Sequence, residues 1–335
     1  MSTIATDRMP LAPDLDVRRV VLGMWQVSGA HGAIDPERAL RSMREHFDRG
    51  FTTFDLADHY GPAEDLVGEF RRRLRGDGAL HDLVAFTKWV PEPGTMSRAV
   101  VDSAIDRSLR RMDTPSLDLL QFHWWDYADE RYLDALSHLM DLREATKIRH
   151  LALTNFDTEH LERILDRGIE VVSNQVQYSL VDRRPEVAMR DVCVRRGVRL
   201  LTYGTLAGGL FSERWLGRAE PRRAELTTAS LQKYKRMVDA WGGWALFQEL
   251  LVALHEIARR HRATIANVAV RAVLDEPAVG AVIVGVRFGE SQHVSENLAV
   301  FDVSLAAEDR SLLAAVTSRA RNLFAAIGDC GDEYR

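Results

Sequence analysis

The chain has 335 residues, of which 46% are apolar, enough for one large core; 44 basic and 49 acidic residues leave a net charge of −5. That balance excludes a general nucleic-acid binder, which needs a basic surplus or stripe. No apolar run reaches about 18 residues, which excludes a helical membrane span. Cys193 and Cys330 lack metal-ligand spacing, and the N-terminal stretch lacks the apolar segment of a secretory leader. The expectation is a reduced, cytoplasmic chain folded as one domain over 1–335.

A first strand is predicted over Arg19 to Met24, running into Trp25 and a small loop, Ser28 to Gly32. Asp35-Pro36-Glu37 opens a helix that Gly50 stops, with proline in the first turn, where no N–H is needed. Phe51 to Phe54 is a short aromatic and β-branched run ending in Asp55. Tyr60 follows, and Gly61-Pro62 leads into a helix to Leu74. Strand three, Leu83 to Thr87, ends in Lys88, and the apolar stripe from Val100 to Leu109 makes Ser97 to Arg111 a helix. Strand four, Leu117 to Phe122, ends in His123, and a helix follows over Asp129 to Glu144.

Strand five, His150 to Leu153, ends in Thr154-Asn155; Asp157 caps a helix reaching Gly168. Strand six, Val171 to Asn174, ends in Gln175, and the helix from Pro185 to Arg196 stops at Gly197. Strand seven, Val198 to Thr202, ends in Tyr203. Residues 204–243 read as a long irregular stretch, too long for a plain connector and so a functional or mobile loop. Helices over Leu246 to Arg260 and Ile265 to Leu274 precede strand eight, Ala281 to Val284, which is followed by Arg287. Ser291 to Leu298 and Ala306 to Arg319 read as helices, and the tail from Ala320 has weak pattern.

Strands alternating with helices in one chain predict an α/β fold, a (β/α)8 TIM barrel with a long loop after strand seven and a C-terminal tail. An open doubly wound sheet is the alternative, but it usually carries a glycine-rich G-x-G-x-x-G first turn. The first turn here, GMWQVSGAHG, lacks that spacing.

In a parallel barrel the residues after the strands gather at one mouth, where the chemistry is done. They include Trp25, Asp55 with Tyr60, Lys88, His123, Asn155, Gln175, Tyr203 and Arg287. A phenol is a proton donor at neutral pH, and a nearby ammonium lowers its pKa. An aspartate keeps that ammonium charged, and a histidine orients a carbonyl oxygen. Together Asp55, Tyr60, Lys88 and His123 make a general acid for carbonyl reduction. The carbon needs a hydride that no side chain supplies, so a nicotinamide is expected. Asn155 and Gln175 suit a carboxamide, and Tyr203 a flat ring. Thr205 to Leu210, with Leu206 and the glycines Gly208 and Gly209, offers backbone N–H groups to a pyrophosphate; Arg287 suits a phosphate. Trp25, Trp89, Trp124 and Trp125 form an aromatic substrate wall. Lys88 as a Schiff-base lysine is disfavoured by its carboxylate neighbour, and no metal is expected because His59, His123 and the acids lack ligand spacing.

The motifs FDLADHYG (Phe54 to Gly61), FTKW (Phe86 to Trp89), LDLLQFHW (Leu117 to Trp124) and LTNF (Leu153 to Phe156) recur in order. NQVQYSLVDR from Asn174, LLTYGTLAGGL from Leu200 and IVGVRFGESQHVSENL from Ile283 complete the series. The chain resembles the aldo-keto reductase superfamily across nearly its whole length. The resemblance implies Tyr60 as acid, tuned by Lys88 and Asp55, with His123 orienting the carbonyl. It implies that Thr154, Asn155 and Gln175 hold the carboxamide, that Tyr203 stacks on it, and that Glu296 and Asn297 reach the adenine. Arg287 would meet a 2′-phosphate, implying NADP(H), with NADPH preferred over NADH. Thr154 stands where the family usually has serine, Gly204 where a serine commonly follows the stacking tyrosine, and the segment from Gly285 to Glu296 is longer than usual. The expected activity is reversible reduction of an aldehyde or ketone to an alcohol, a regulatory NADP(H)-binding protein being the alternative. The partner is then a small carbonyl or alcohol, with neither nucleic acid nor membrane; substrate and oligomeric state are not readable.

Overall fold

The computed structural model describes residues 7–29, 34–92, 94–290 and 293–335. Two antiparallel strands, β1 (Arg8–Ala12) and β2 (Leu15–Arg18), come first. Then β3 (Val20–Gly23), α1 (Pro36–Asp48), β4 (Thr53–Asp55), α2 (Ala63–Gly76), β5 (Val84–Trp89) and α3 (Arg98–Arg111) alternate. The alternation continues through β6 (Leu117–His123), α4 (Tyr132–Glu144), β7 (Ile148–Thr154), α5 (Thr158–Asp166), β8 (Ser173–Gln177), α6 (Met189–Arg196) and β9 (Arg199–Tyr203). Next come α7 (Ala229–Trp241), α8 (Gly243–His261), α9 (Ile265–Leu274) and β10 (Val279–Gly285). The chain finishes with α10 (Val294–Leu298), α11 (Ala307–Thr317) and α12 (Leu323–Ile327). Strands β3 to β10 pair in parallel, and β10 pairs with both β9 and β3, closing an eight-stranded (β/α)8 TIM barrel.

The helix starts follow from local chemistry. Asp35 Oδ1 accepts from the N–H groups of Glu37 and Arg38 at 2.9 and 3.1 Å, with Pro36 next to it. Asp157 Oδ1 accepts from the His160 N–H at 2.7 Å. Each cap satisfies donors that the first helical turn leaves without partners. Gly197 ends α6 at a φ of 71°, which costs a residue without Cβ nothing.

The barrel is filled by side chains and sealed at one end. Val21, Phe86, Leu119, Ala152, Leu201 and Ala281 pack with Leu11, Leu15 and Val17 of the hairpin. The hairpin therefore closes the end where the strands begin and leaves the opposite mouth for chemistry. It was not among the expected elements, although Met9, Leu11, Leu15 and Val17 alternate on either side of Pro13-Asp14.

Three further expectations change. β8 covers Ser173–Gln177 rather than Val171 to Asn174, so Gln175 lies within a strand. Residues 204–243 are not an irregular loop: they include α7, capped by Thr228 Oγ1, which accepts from the Leu231 N–H at 3.1 Å. Leu231, Met237, Val238 and Trp241 supply its buried stripe, which a charged stretch just before it obscures in the sequence. Trp215, Trp241 and Trp244 are core residues of a second apolar cluster formed with α8, α9 and α11. The helix expected over 291–298 is α10 alone, 291 and 292 lying outside the described residues.

Gly68 marks where α2 and α3 press closest, since a Cβ there would lie 2.1 Å from the Arg111 carbonyl oxygen. Alanine would gain about 1 kcal/mol of helix propensity, but overpacking against backbone typically costs about 1–3 kcal/mol. Gly68→Ala is therefore expected to lower stability by up to about 2 kcal/mol in urea denaturation.

Candidate active site

Strand register brings the polar side chains to the mouth in layers. Asp55 pairs in register with Gly23 and Phe86, Lys88 with Gln121, His123 with Thr154, and Thr154 with Gln175. Lys88 Nζ donates to Asp55 Oδ2 at 2.6 Å and to the Leu56 carbonyl at 3.0 Å. Asp55 Oδ1 accepts from Gln121 Nε2 and Gln175 Nε2, both at 2.8 Å. Gln175 Nε2 also donates to Gln121 Oε1 at 2.6 Å. All four side chains are buried. A buried ion pair persists only when its remaining polar atoms are also bonded, and this closed network bonds them.

Tyr60 stands above the pair, with Lys88 Nζ 5.1 Å from its ring centroid. Trp25 and His59 flank the ring, at centroid distances of 5.0 and 4.8 Å. The loop that carries it is tied down: the Asp58 N–H donates to the Lys88 carbonyl at 3.0 Å, and Arg111 Nη1 donates to the Asp58 carbonyl at 3.2 Å. The expected electrostatic tuning runs the other way here. Burial first, then the Asp55 carboxylate, pushes the Tyr60 phenol well above its ordinary value. Burial likewise pulls Lys88 down, while Asp55 opposes that pull. The arrangement keeps Tyr60 protonated, as a donor.

His123 is neutral. Burial pushes it down to about 3, helped by the positive charges of Arg335 and Lys88 and by His59. Its Nδ1 is buried without a hydrogen-bond partner, and Trp125 packs edge-on at 4.3 Å between centroids.

The four tryptophans separate. Trp25 and Trp125 are 38% and 39% exposed at the mouth, whereas Trp89 and Trp124 are only 4% and 2% exposed and belong to the core. Strand alternation explains this correction. Lys88 and His123 face inward, so the next residue along faces the helix layer. Trp124 Nε1 is held there by the Asp126 and Asp129 carbonyls at 2.7 and 2.8 Å.

The residues expected to meet a nucleotide are largely bonded to one another and to the chain. Asn155, at a φ of 57°, accepts on Oδ1 from the Tyr203 hydroxyl at 2.8 Å. Thr154 Oγ1 donates to the Gln175 carbonyl at 3.3 Å. A Cβ on Gly204 would meet the Tyr234 hydroxyl at 2.4 Å, and one on Gly208 would meet Ser230 at 2.9 Å. These glycines are therefore needed for packing against α7, whereas Gly209 has open space beside it. Thr205 Oγ1 donates to the Tyr178 carbonyl at 3.1 Å, and Leu206 packs on the core. Arg287 is exposed beyond β10; Glu296 is exposed and bonds His293 at 2.7 Å. Asn297 is buried with its Nδ2 unpaired.

The tail, whose sequence has only weak pattern, is built into the mouth. Arg184, fully buried, binds Asp182 at 2.7 Å, Glu333 at 2.9 Å and the Asp329 carbonyl at 2.9 Å. Tyr334 meets the Tyr203 hydroxyl at 3.1 Å and also takes a hydrogen bond from Lys233. Arg335 Nη2 donates to the carbonyls of Trp124 and Asn155 at 3.1 and 2.8 Å, and its guanidinium lies 3.9 Å over the Tyr127 ring. Gln121, Lys233, Tyr234 and Glu333 to Arg335 were not among the sequence candidates. Only Gln121 carried a signal: it is two residues before His123 on one strand, hence on the same face.

Asn297 Nδ2, His123 Nδ1 and the side-chain Oε1 of Gln175, whose amide nitrogen is committed to Asp55 and Gln121, suit a dinucleotide that offers its own donors and acceptors. Among the described residues no group of His, Cys, Asp or Glu is arranged to hold a metal ion, and no helix is long and apolar enough to cross a membrane.

The sequence model of the aldo/keto reductase family matches residues 19–317, and the chain belongs to that family. The chain is 26% identical over 293 residues to the L-glyceraldehyde 3-phosphate reductase of Escherichia coli, covering 83% of this chain and 82% of that enzyme. It is 22% identical over 332 residues to an NADH-specific methylglyoxal reductase from the same bacterium, covering 91% of this chain and 97% of the other. It is 25% identical over 272 residues to flagellar radial spoke protein 5 of Chlamydomonas reinhardtii, which takes in 70% of this chain but spans only about half of that protein, 51%. An aldo/keto reductase from Klebsiella pneumoniae, solved with NADP and acetate, shares the fold at a TM-score of 0.70 and 23% identity, covering 93% of this chain and 95% of the other.

Because the folded state holds His123 neutral while an unfolded imidazole protonates near 6.5, stability attributable to this residue is fully present above pH 6.5 and is lost as pH falls toward 3. Between pH 7 and pH 4 the loss is roughly 3 kcal/mol. His123→Asn is expected to flatten the acid side of the profile of unfolding free energy against pH by that amount, measured by urea denaturation at about pH 4 and pH 7.

Proposed function

We propose that this chain is an NADP(H)-dependent reductase that converts an aldehyde or ketone to an alcohol and back, with Tyr60 as the proton donor and acceptor. The observation that carries the reading is the Tyr60 ring over a buried Lys88–Asp55 pair, with a neutral His123 at the end of the adjacent strand β6, at the open end of the barrel. A neutral His123 can bond a carbonyl oxygen without adding a charge, and Tyr60 gives that oxygen its proton as negative charge develops there. Lys88 lies close enough to stabilise the phenolate that remains, while Asp55 fixes its position. A bound nicotinamide supplies the hydride. Its carboxamide is assigned to Asn155, Gln175 and Thr154, its ring to Tyr203, its diphosphate to the turn around Gly209, and its adenosine end to Glu296, Asn297 and Arg287.

The exposed rings of Trp25 and Trp125 support a substrate with an apolar or aromatic portion. The two cysteines are free and buried, which supports a reducing, cytoplasmic setting for a single catalytic domain acting on a diffusible small molecule. NADPH is preferred over NADH in this reading because Arg287 follows the last strand, where a guanidinium can take a phosphate by two hydrogen bonds.

Tyr60→Phe is expected to lower turnover by about 10²–10⁴-fold while leaving the dissociation constant of NADP⁺ within about twofold, by fluorescence titration. Near-normal turnover would refute the mechanism. Retention of nucleotide without turnover of any carbonyl by the unmodified protein would favour a regulatory binder instead. Arg287→Ala is expected to weaken NADPH by about 10-fold or more and to spare NADH; equal losses would remove Arg287 from phosphate recognition.

A further inference from the structure

Gln121 is wholly buried at the centre of the acid network. Its hydrogen bonds determine more than its own position. A carboxylate only accepts, so the atoms of Gln121 and Gln175 that lie 2.8 Å from Asp55 Oδ1 must both be amide nitrogens. The carbonyl of Gln121 also only accepts, so Gln175 must turn its nitrogen toward it, at 2.6 Å. The triangle Asp55–Gln121–Gln175 closes in one orientation and leaves no ambiguity about either amide. Gln175 then has both N–H bonds committed inward, and Oε1 is its remaining group. Whatever meets Gln175 from the mouth has to donate. A carboxamide does; a carboxylate in the same place does not, and the two oxygens repel.

We propose that Gln121 is a positioning residue for the hydride-transfer site. By holding Asp55 and Gln175 together it aims the Gln175 carbonyl at the cofactor, selects a carboxamide over a carboxylate on the pyridine ring, and keeps Asp55 turned toward Lys88. The proposal rests on the reading that a nicotinamide dinucleotide binds at this mouth. It concerns a residue that touches neither cofactor nor substrate, so its signature is selectivity rather than simple loss of activity.

The test compares NADP⁺ with nicotinic acid adenine dinucleotide phosphate, which carries a carboxylate in place of the carboxamide. Both are titrated by quenching of tryptophan fluorescence. The unmodified protein is expected to bind NADP⁺ roughly tenfold or more tightly than the acid. Gln121→Leu is expected to bring the ratio to within about threefold, because Gln175 is then free to turn. Gln121→Glu supplies a conservative check that also tolerates failure of the leucine variant to fold. Protonated, the introduced carboxyl keeps a donor for Asp55 and an acceptor for Gln175; ionised, it faces the Asp55 carboxylate and cannot donate. The charged and titratable groups around it are Asp55 on β4, Lys88 on β5 and His123 on its own strand, while β8 presents only the neutral Gln175. The variant is thus expected to show the normal ratio at pH 5 and to lose it as pH rises to 8, with melting temperature falling in parallel without any nucleotide present. A ratio that neither substitution changes, at either pH, would overturn the role of Gln121 while leaving the cofactor reading intact. Failure of the unmodified protein to bind either dinucleotide would overturn the cofactor reading, and this proposal with it.

Discussion

A lysine ammonium and an aspartate carboxylate, 2.6 Å apart inside a parallel barrel, are the constraint to which the rest of the mouth answers. Two charges removed from water lose several kcal/mol of hydration each, on the order of what a small domain has in total. Their attraction recovers that only with good geometry and no lone pair left over. The barrel meets both demands with neighbours from four strands or strand ends: Leu56 lends a carbonyl, and Gln121 and Gln175 lend amides. No open sheet could surround one carboxylate in this way, because the partners of the β4 aspartate arrive from β5, β6 and β8 at once.

The same enclosure sets the state of the groups above the pair. Tyr60 and His123 are both pushed toward their neutral forms, chiefly by burial. In the proposed mechanism a neutral phenol and a neutral imidazole bring no charge of their own to a carbonyl, and Lys88 is the cation beside them. The division of labour resembles an oxyanion site, in which fixed dipoles and one held charge meet the developing negative oxygen.

Much of the barrel was legible because strand ends in a parallel sheet write their chemistry into the chain. Asp55, Lys88 and His123 each close an apolar run, so their shared mouth follows from the fold class alone. Residues inside strands were harder. Gln121 sits between Leu120 and Phe122 and looks like an exception in a core strand rather than part of a site. Trp89 and Trp124 failed for the opposite reason: each sits at a strand end, but one step out of phase, so pleating sends it to the helix layer. The helix α7 was obscured by charge just before it, and the tail by having too little regular pattern for periodicity to detect. Its contacts are instead made by single side chains, Arg184 to Glu333 and Arg335 to Asn155, across long stretches of sequence.

The Arg184 anchor has a consequence for how such a mouth can change over evolutionary time. One guanidinium, rooted in the connection after β8, grips both Asp182 and the tail, and the tail in turn leans on Tyr203 and Asn155. A lineage that reshapes the tail to admit a bulkier molecule therefore also disturbs the wall where the ring of the dinucleotide is expected. Broader substrate range and weaker coenzyme retention become inherited together, unless a second change near Asp182 restores the grip.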